Sequence, residues 1–183
     1  GVGTSIKHFC ANSQETRRMT CDSVVDERAL REIYLTAFEI AIKKAKPWTV
    51  MNSYNKINGA HGSENKHTQI EILRDEWGFD GVVVSDYRSI QRLCGDILAT
   101  ADDMTDAAIQ CLTAGLDMEF PDRLGYAEGL VQAFETGKLD TAFLDRAVLR
   151  VLTLKYELGL FDDPFPQWEQ YCSAFRDTSA GEQ

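Results

Sequence analysis

A carboxylate stands directly behind an apolar run in Val82-Val83-Val84-Ser85-Asp86-Tyr87. Three β-branched residues in succession predict a strand buried on both faces, as in a parallel sheet. An acid just past such a strand lies where α/β folds bind ligands. There Asp86 could attack a substrate or accept a proton. Polar groups recur after three other apolar runs: Lys7-His8, Asn52-Ser53-Tyr54-Asn55, and Asp117 with Glu119. Lys7, His8 and Tyr54 can donate hydrogen bonds to hydroxyls, and Tyr54 and Tyr87 can pack on a sugar face. No glycine-rich loop follows any of these runs, as a phosphate cradle requires. The set therefore suits a carbohydrate better than a phosphate.

Each residue also has a plainer reading. A lone strand-end Asp caps a helix or shapes a turn. Lys7-His8 alone is surface decoration, and Asn52 to Asn55 alone are turn chemistry. Met51 alone is core packing, and Glu119 alone holds the last loop. The repetition at successive strand ends favours a shared site.

The elements that must position these groups alternate. Strand-like stretches are Gly1 to Cys10, Pro47 to Met51, Gly81 to Ser85 and Gly115 to Phe120. Apolar residues at helical spacing predict a helix over Asp26 to Ala45, with Asp26 as N-cap. A second helix is predicted over Ser63 to Trp77, capped by Ser63 and stopped by Gly78. Tyr87 to Cys94, Thr105 to Ala114, Leu124 to Thr136 and Thr141 to Leu158 read as further helices. Asn58-Gly59 marks a turn. Strand-then-helix units in a row predict an α/β fold with a parallel sheet. Four units fit a small doubly wound sheet or half of an eight-stranded barrel.

The 183 residues, 44% hydrophobic and 26% charged, fit one soluble domain with a sizeable core. No apolar stretch reaches membrane-spanning length, and no secretory signal is visible at the start. A formal net charge of −10 argues against nucleic acid as a partner. The five Cys are scattered without a CxxC pair, and the three His lack ligand spacing. No metal site or disulfide framework is expected, and the thiols read as reduced ones in a cytoplasmic protein.

Longer motifs carry a resemblance. Lys7-His8-Phe9-Cys10-Ala11-Asn12-Ser13-Gln14-Glu15-Thr16-Arg17-Arg18 is similar to a KHF-x-x-N-x-Q-E-T-x-R segment of bacterial β-glucosidases in glycoside hydrolase family three. Asp26 to Leu35 resembles the family's DERALREIYL helix. Met51-Asn52-Ser53-Tyr54-Asn55 resembles its M-x-SYN strand end, and Trp77 to Asp86 its WGFDG-x-V-x-SD strand. Gly115-Leu116-Asp117-Met118-Glu119 and Leu158-Gly159-Leu160-Phe161 resemble later signatures, so the likeness runs from Lys7 to about Pro164.

The resemblance implies the second half of a (β/α)8 TIM-type barrel over residues 1–161, with 162–183 an irregular tail or the start of a linker. It implies a retaining, exo-acting β-glycosidase that uses no cofactor and takes a β-linked glucoside or oligosaccharide. Asp86 would form the covalent glycosyl-enzyme. Lys7, His8 and Arg18 would hold hydroxyls of the terminal sugar, and Met51 and Tyr54 would line its subsite. Tyr87 would face the leaving group, where the family usually has Trp. Cys10-Ala11-Asn12-Ser13 replaces the His-bearing PGHG-type loop of the N-acetylglucosaminidase branch, which favours a glucosidase or a xylosidase. Retention needs a second carboxyl about 5–5.5 Å from the first. In β-glucosidases of the family that Glu lies on a separate domain, and Glu119 is the nearby strand-end candidate for a substitute. Barrel strands one to four would lie outside this chain, which makes self-association or a complementary half barrel an expected partner. A non-catalytic sugar-binding or assembly fragment is the alternative.

Overall fold

The computed structural model describes residues 3–95, 98–165 and 172–173. Its main sheet contains β1 (Ser5–Phe9), β3 (Thr49–Asn52) and β6 (Val82–Val84), in that order and all parallel. The register sets Ser5 opposite Thr49, and Val50 opposite Val83. Val50 and Val83 are fully buried, and all three residues of β6 lie in the interior. Burying each valine contributes about 1.5–3 kcal/mol, so the run that predicts a strand also anchors it.

The expected fourth strand, Gly115 to Phe120, contracts to one parallel bridge between Val84 and Met118. Its main chain explains why. The amides of Asp117 and Met118 both reach Val83 O, while Ser85 N reaches Met118 O. Pro121 then ends the run, since it has no N–H for a ladder. A second small sheet, β2 (Asp22–Ser23), β4 (Lys56–Ile57) and β5 (Ala60–His61), was not expected.

The first long helix begins at α1 (Glu27–Ala29), passes through a wider π-helical turn at Leu30–Tyr34, and continues as α2 (Thr36–Ala45). Asp26 caps it as expected, accepting from Ala29 N at 3.0 Å. The Thr36 hydroxyl donates to Glu32 O at 2.7 Å, where the ladder changes from π to α. The second helix, π-helical over His67–Glu76, differs at its start: Asn65, not Ser63, caps it by accepting from Thr68 N at 2.9 Å. Its end follows expectation. Gly78 takes φ +69° and its amide reaches Arg74 O.

The remaining helices are α3 (Ser89–Leu93), α4 (Met104–Thr113), a π-helical Gly125–Leu130 running into α5 (Val131–Glu135), and α6 (Thr141–Glu157). One apolar cluster joins the sheet to the helices through Val50, Ile72, Val83, Ile90 and Leu116. A second, with Leu112, Leu130, Ala133 and Ala147, joins α4, α5 and α6. No helix among the described residues is long and apolar enough to cross a membrane. Of the expected irregular tail, 162–165 carry no helix or strand, and 166–171 and 174–183 lie outside the described residues.

Candidate active site

The ends of β1, β3 and β6 bring His8, Tyr54 and Asp86 together. His8 Nε2 lies 3.4 Å from Asp86 Oδ2. The other Asp86 oxygen, Oδ1, accepts from Tyr87 N at 2.7 Å. The Asp86 amide donates to Asn52 Oδ1 at 3.1 Å. The acid is thus pinned by its backbone to the neighbouring strand and by its side chain to the next residue. The Asp86 side chain keeps 13% of its surface exposed.

Within Asn52-Ser53-Tyr54-Asn55 the work divides. Ser53 Oγ donates to Cys10 O, and Asn55 Nδ2 reaches Ala11 O and Lys56 O, so these two shape the turn after β1. Tyr54 turns to the site. Its hydroxyl donates to Tyr87 O at 2.6 Å. Burial and the charge of Asp86 push the phenol up to about 12, so it stays protonated and donates. The guanidinium of Arg18 lies 5.0 Å from the Tyr54 ring centroid and that of Arg92 lies 5.4 Å away. Both lay positive charge against the Tyr54 ring. Arg18 also pairs with Glu15 at 2.7 Å.

Behind this layer His61 is buried, and its Nδ1 donates to Tyr54 O at 2.8 Å. A carbonyl can only accept, so the proton sits on Nδ1. Burial pushes the His61 pKa down and keeps the ring neutral. Cys10, next to the site, is pushed up to about 12 by burial, which leaves it a thiol.

Lys7 is exposed on β1, and Met51 is half-buried on β3, opposite Val84 in register. The hydrogen bonds and ion pair of Asp86 go instead to Asn52, Tyr87 and His8. Tyr87 is 54% exposed and stacks on Phe120, with centroids 5.8 Å apart. Two of the strand-end acids hold the fold. Asp117 is bound by Arg74, Arg150 and Val83 N. Glu119 accepts from Gly125 N, Tyr126 N and Gln91. Sequence reasoning passed over Arg92, whose signal was its place on the helix directly after Asp86. It also left Asn52 among generic turn residues. No cluster of three or more His, Cys, Asp or Glu among the described residues is placed to hold a metal ion.

Residues 1–154 match the glycosyl hydrolase family 3 N terminal domain. The chain belongs to this family. A thermostable beta-glucosidase B of Acetivibrio thermocellus is 47% identical over 154 residues, which is 83% of this chain and 18% of that protein. An exo-alpha-(1->6)-L-arabinopyranosidase of Bifidobacterium longum is 40% identical over 175 residues, covering 89% of this chain and 21% of its own. The crystal structure of a beta-glucosidase from Listeria innocua matches with a TM-score of 0.82 at 35% identity, over 89% of this chain and 22% of that one. This family 3 chain therefore spans about a fifth of the length of these relatives.

Proposed function

We propose that this chain carries the nucleophile and part of the terminal-sugar subsite of a retaining, exo-acting β-glycosidase, with β-linked glucosides or oligosaccharides as substrates. The observation that carries the reading is the convergence of His8, Tyr54 and Asp86 from three successive parallel strands. Asp86 attacks the anomeric carbon and forms a glycosyl ester as the glycosidic bond breaks and the aglycone leaves with a proton from the general acid; water then hydrolyses the ester. His8, Lys7 and Arg18 offer donors to sugar hydroxyls, and Met51 and Tyr54 line the pocket wall. In this reading residues 1–161 are the second half of a (β/α)8 barrel, and 162–183 lead away from it.

The general acid comes from outside the described residues. Glu119, the strand-end alternative, is committed to two backbone amides and Gln91. That commitment favours a second reading, in which the chain alone binds sugar without turning it over until a complementary half or a second domain joins it. The arabinopyranosidase relative makes a terminal pentopyranose the alternative sugar.

The test is inactivation by a 2-fluoro-β-glucosyl reagent, followed by peptide mass spectrometry. The expected adduct is on Asp86 and is absent in Asp86→Asn. An adduct elsewhere, or none on folded chain supplied with its complementary domains, removes Asp86 from the role.

A further inference from the structure

We propose that the cleft at the N-terminal ends of β3 and β6 binds a phosphate dianion, free or carried on a small metabolite. The cleft encloses about 910 Å³. Pro47 and Trp48 line it just before β3, and Phe79 and Gly81 just before β6. Asp86 follows the other end of β6, roughly 16 Å of extended chain away. Helix α6 contributes Arg146 and Arg150, about one turn apart, and the π-helical His67–Glu76 contributes Arg74. Three guanidiniums thus line one cleft in a chain whose formal net charge is −10.

One carboxylate answers these three charges. Asp117 gives one oxygen to Arg74 and Val83 N and the other to Arg150. The Arg146 guanidinium lies 5.2 Å from the Phe143 ring centroid and has no hydrogen bond or ion pair among the described residues. The Nε atoms of Arg146 and Arg74 are both buried without a hydrogen-bond partner. Burial and then the charge of Arg150 push Arg146 below the usual guanidinium range, against the pull of Asp117 and Asp75. Like charges four apart on a helix repel each other. Asp80 and Glu157 also line the cleft, but both are exposed and neither pairs with the arginines. Lys43 at the rim is paired with Glu39, and exposed Lys46 adds a further positive charge. The inner wall is left with two positive charges beyond what Asp117 balances. A phosphate dianion matches that excess, and its oxygens suit the planar forks of arginine.

Equilibrium dialysis of the full chain against radiolabelled inorganic phosphate, at constant ionic strength, tests the site. Saturable binding is expected. Arg146→Gln should weaken it about 10-fold or more, the scale of a charge-assisted hydrogen bond. Lys44→Gln removes the same charge from an exposed position on α2 outside the cleft and should leave binding unchanged. Glycerol 3-phosphate that binds tighter than phosphate assigns the site to a phosphorylated metabolite, and equal or weaker binding assigns it to the free ion. Circular dichroism checks that each variant folds. If Arg146→Gln does not fold, Arg146→Met removes the charge and keeps an apolar stem on Phe143. No saturable phosphate binding by folded chain overturns the proposal. So does binding that survives loss of the Arg146 charge, or that Lys44→Gln weakens equally. Labelling of Asp86 is a separate readout, so the sugar reading stands or falls independently of these results.

Discussion

Replacing Asp117 by Asn removes the carboxylate shared by two guanidiniums. Arg74 Nη2 lies 2.5 Å from one oxygen and Arg150 Nη1 lies 2.8 Å from the other. Val83 N donates to the same oxygen as Arg74, at 2.8 Å. The Asp117 side chain is 2% exposed, that of Arg74 6% and that of Arg150 19%. Burial already pushes Arg74 down to about 10 against the attraction of Asp117. Without the carboxylate, Arg74 keeps a buried charge whose other partners are the carbonyls of Phe79 and Gly81. Removing one partner of a buried ion pair costs about 3–5 kcal/mol. Arg150 reaches water and recovers part of its hydration, so the lower half of that range applies. This is a large share of the ~5–15 kcal/mol that holds a domain folded. Urea unfolding followed by tryptophan fluorescence reads the loss directly, and Arg150→Ala in a double-mutant cycle separates the exposed arm from the buried one. A loss under about 1 kcal/mol at unchanged m-value would refute the assignment of Asp117 as a buried charge anchor.

Gly62→Ala is expected to destabilise by about 1–3 kcal/mol, because its Cβ would meet Ser53 O at 2.2 Å. A thermal melt unchanged from the wild type would contradict this. Tyr54→Phe removes the 2.6 Å hydrogen bond to Tyr87 O. It should cost about 1 kcal/mol of stability and slow labelling of Asp86; unchanged labelling kinetics would remove Tyr54 from the site. The surface network of Glu27, Arg31, His67, Glu71 and Glu76 gives a pH dependence. His67 is raised, chiefly by its hydrogen bond to Glu71, so its contribution is full below about 6.5 and is lost as pH climbs through the raised value. Glu27 and Glu76 are lowered, chiefly by Arg31, so theirs is present above about 4.5 and is lost as pH falls through the lowered values. The melting temperature of His67→Gln should fall below wild type in mildly acid buffer and converge with it in alkaline buffer. A pH-independent gap would contradict the assignment. The effect is small, because the groups are largely exposed.

What the sequence made legible were features that one local signal decides. Val82 to Val84 can be satisfied only by burial on both faces, and Gly78 supplies the left-handed turn that stops a helix. The helix start at Asn65 was not legible in the same way. Ser63 and Asn65 are both good caps, and the choice turns on which side chain reaches Thr68 N. The two-residue strands β2, β4 and β5 are too short to show a period. The contraction of the fourth strand depends on two amides competing for Val83 O, a tertiary fact. In the site, Asp86, His8 and Tyr54 were readable as strand-end chemistry. Glu119 also stood at a strand end, with loop-holding as its plainer reading, and the amides of Gly125 and Tyr126 show where its oxygens go.

Phe120 is hydrogen-bonded to the end of β6 through its amide and carbonyl, and Glu119 fastens the following turn without help from the Phe120 side chain. The backbone alone fixes where residue 120 sits, and the ring adds its stack on Tyr87. A lineage could change that side chain while Asp86, held by Asn52 and by the Tyr87 amide, stays where it is. The position of a strand end and the identity of the side chain it presents would then evolve as separate traits, adjacent in space but inherited through different constraints.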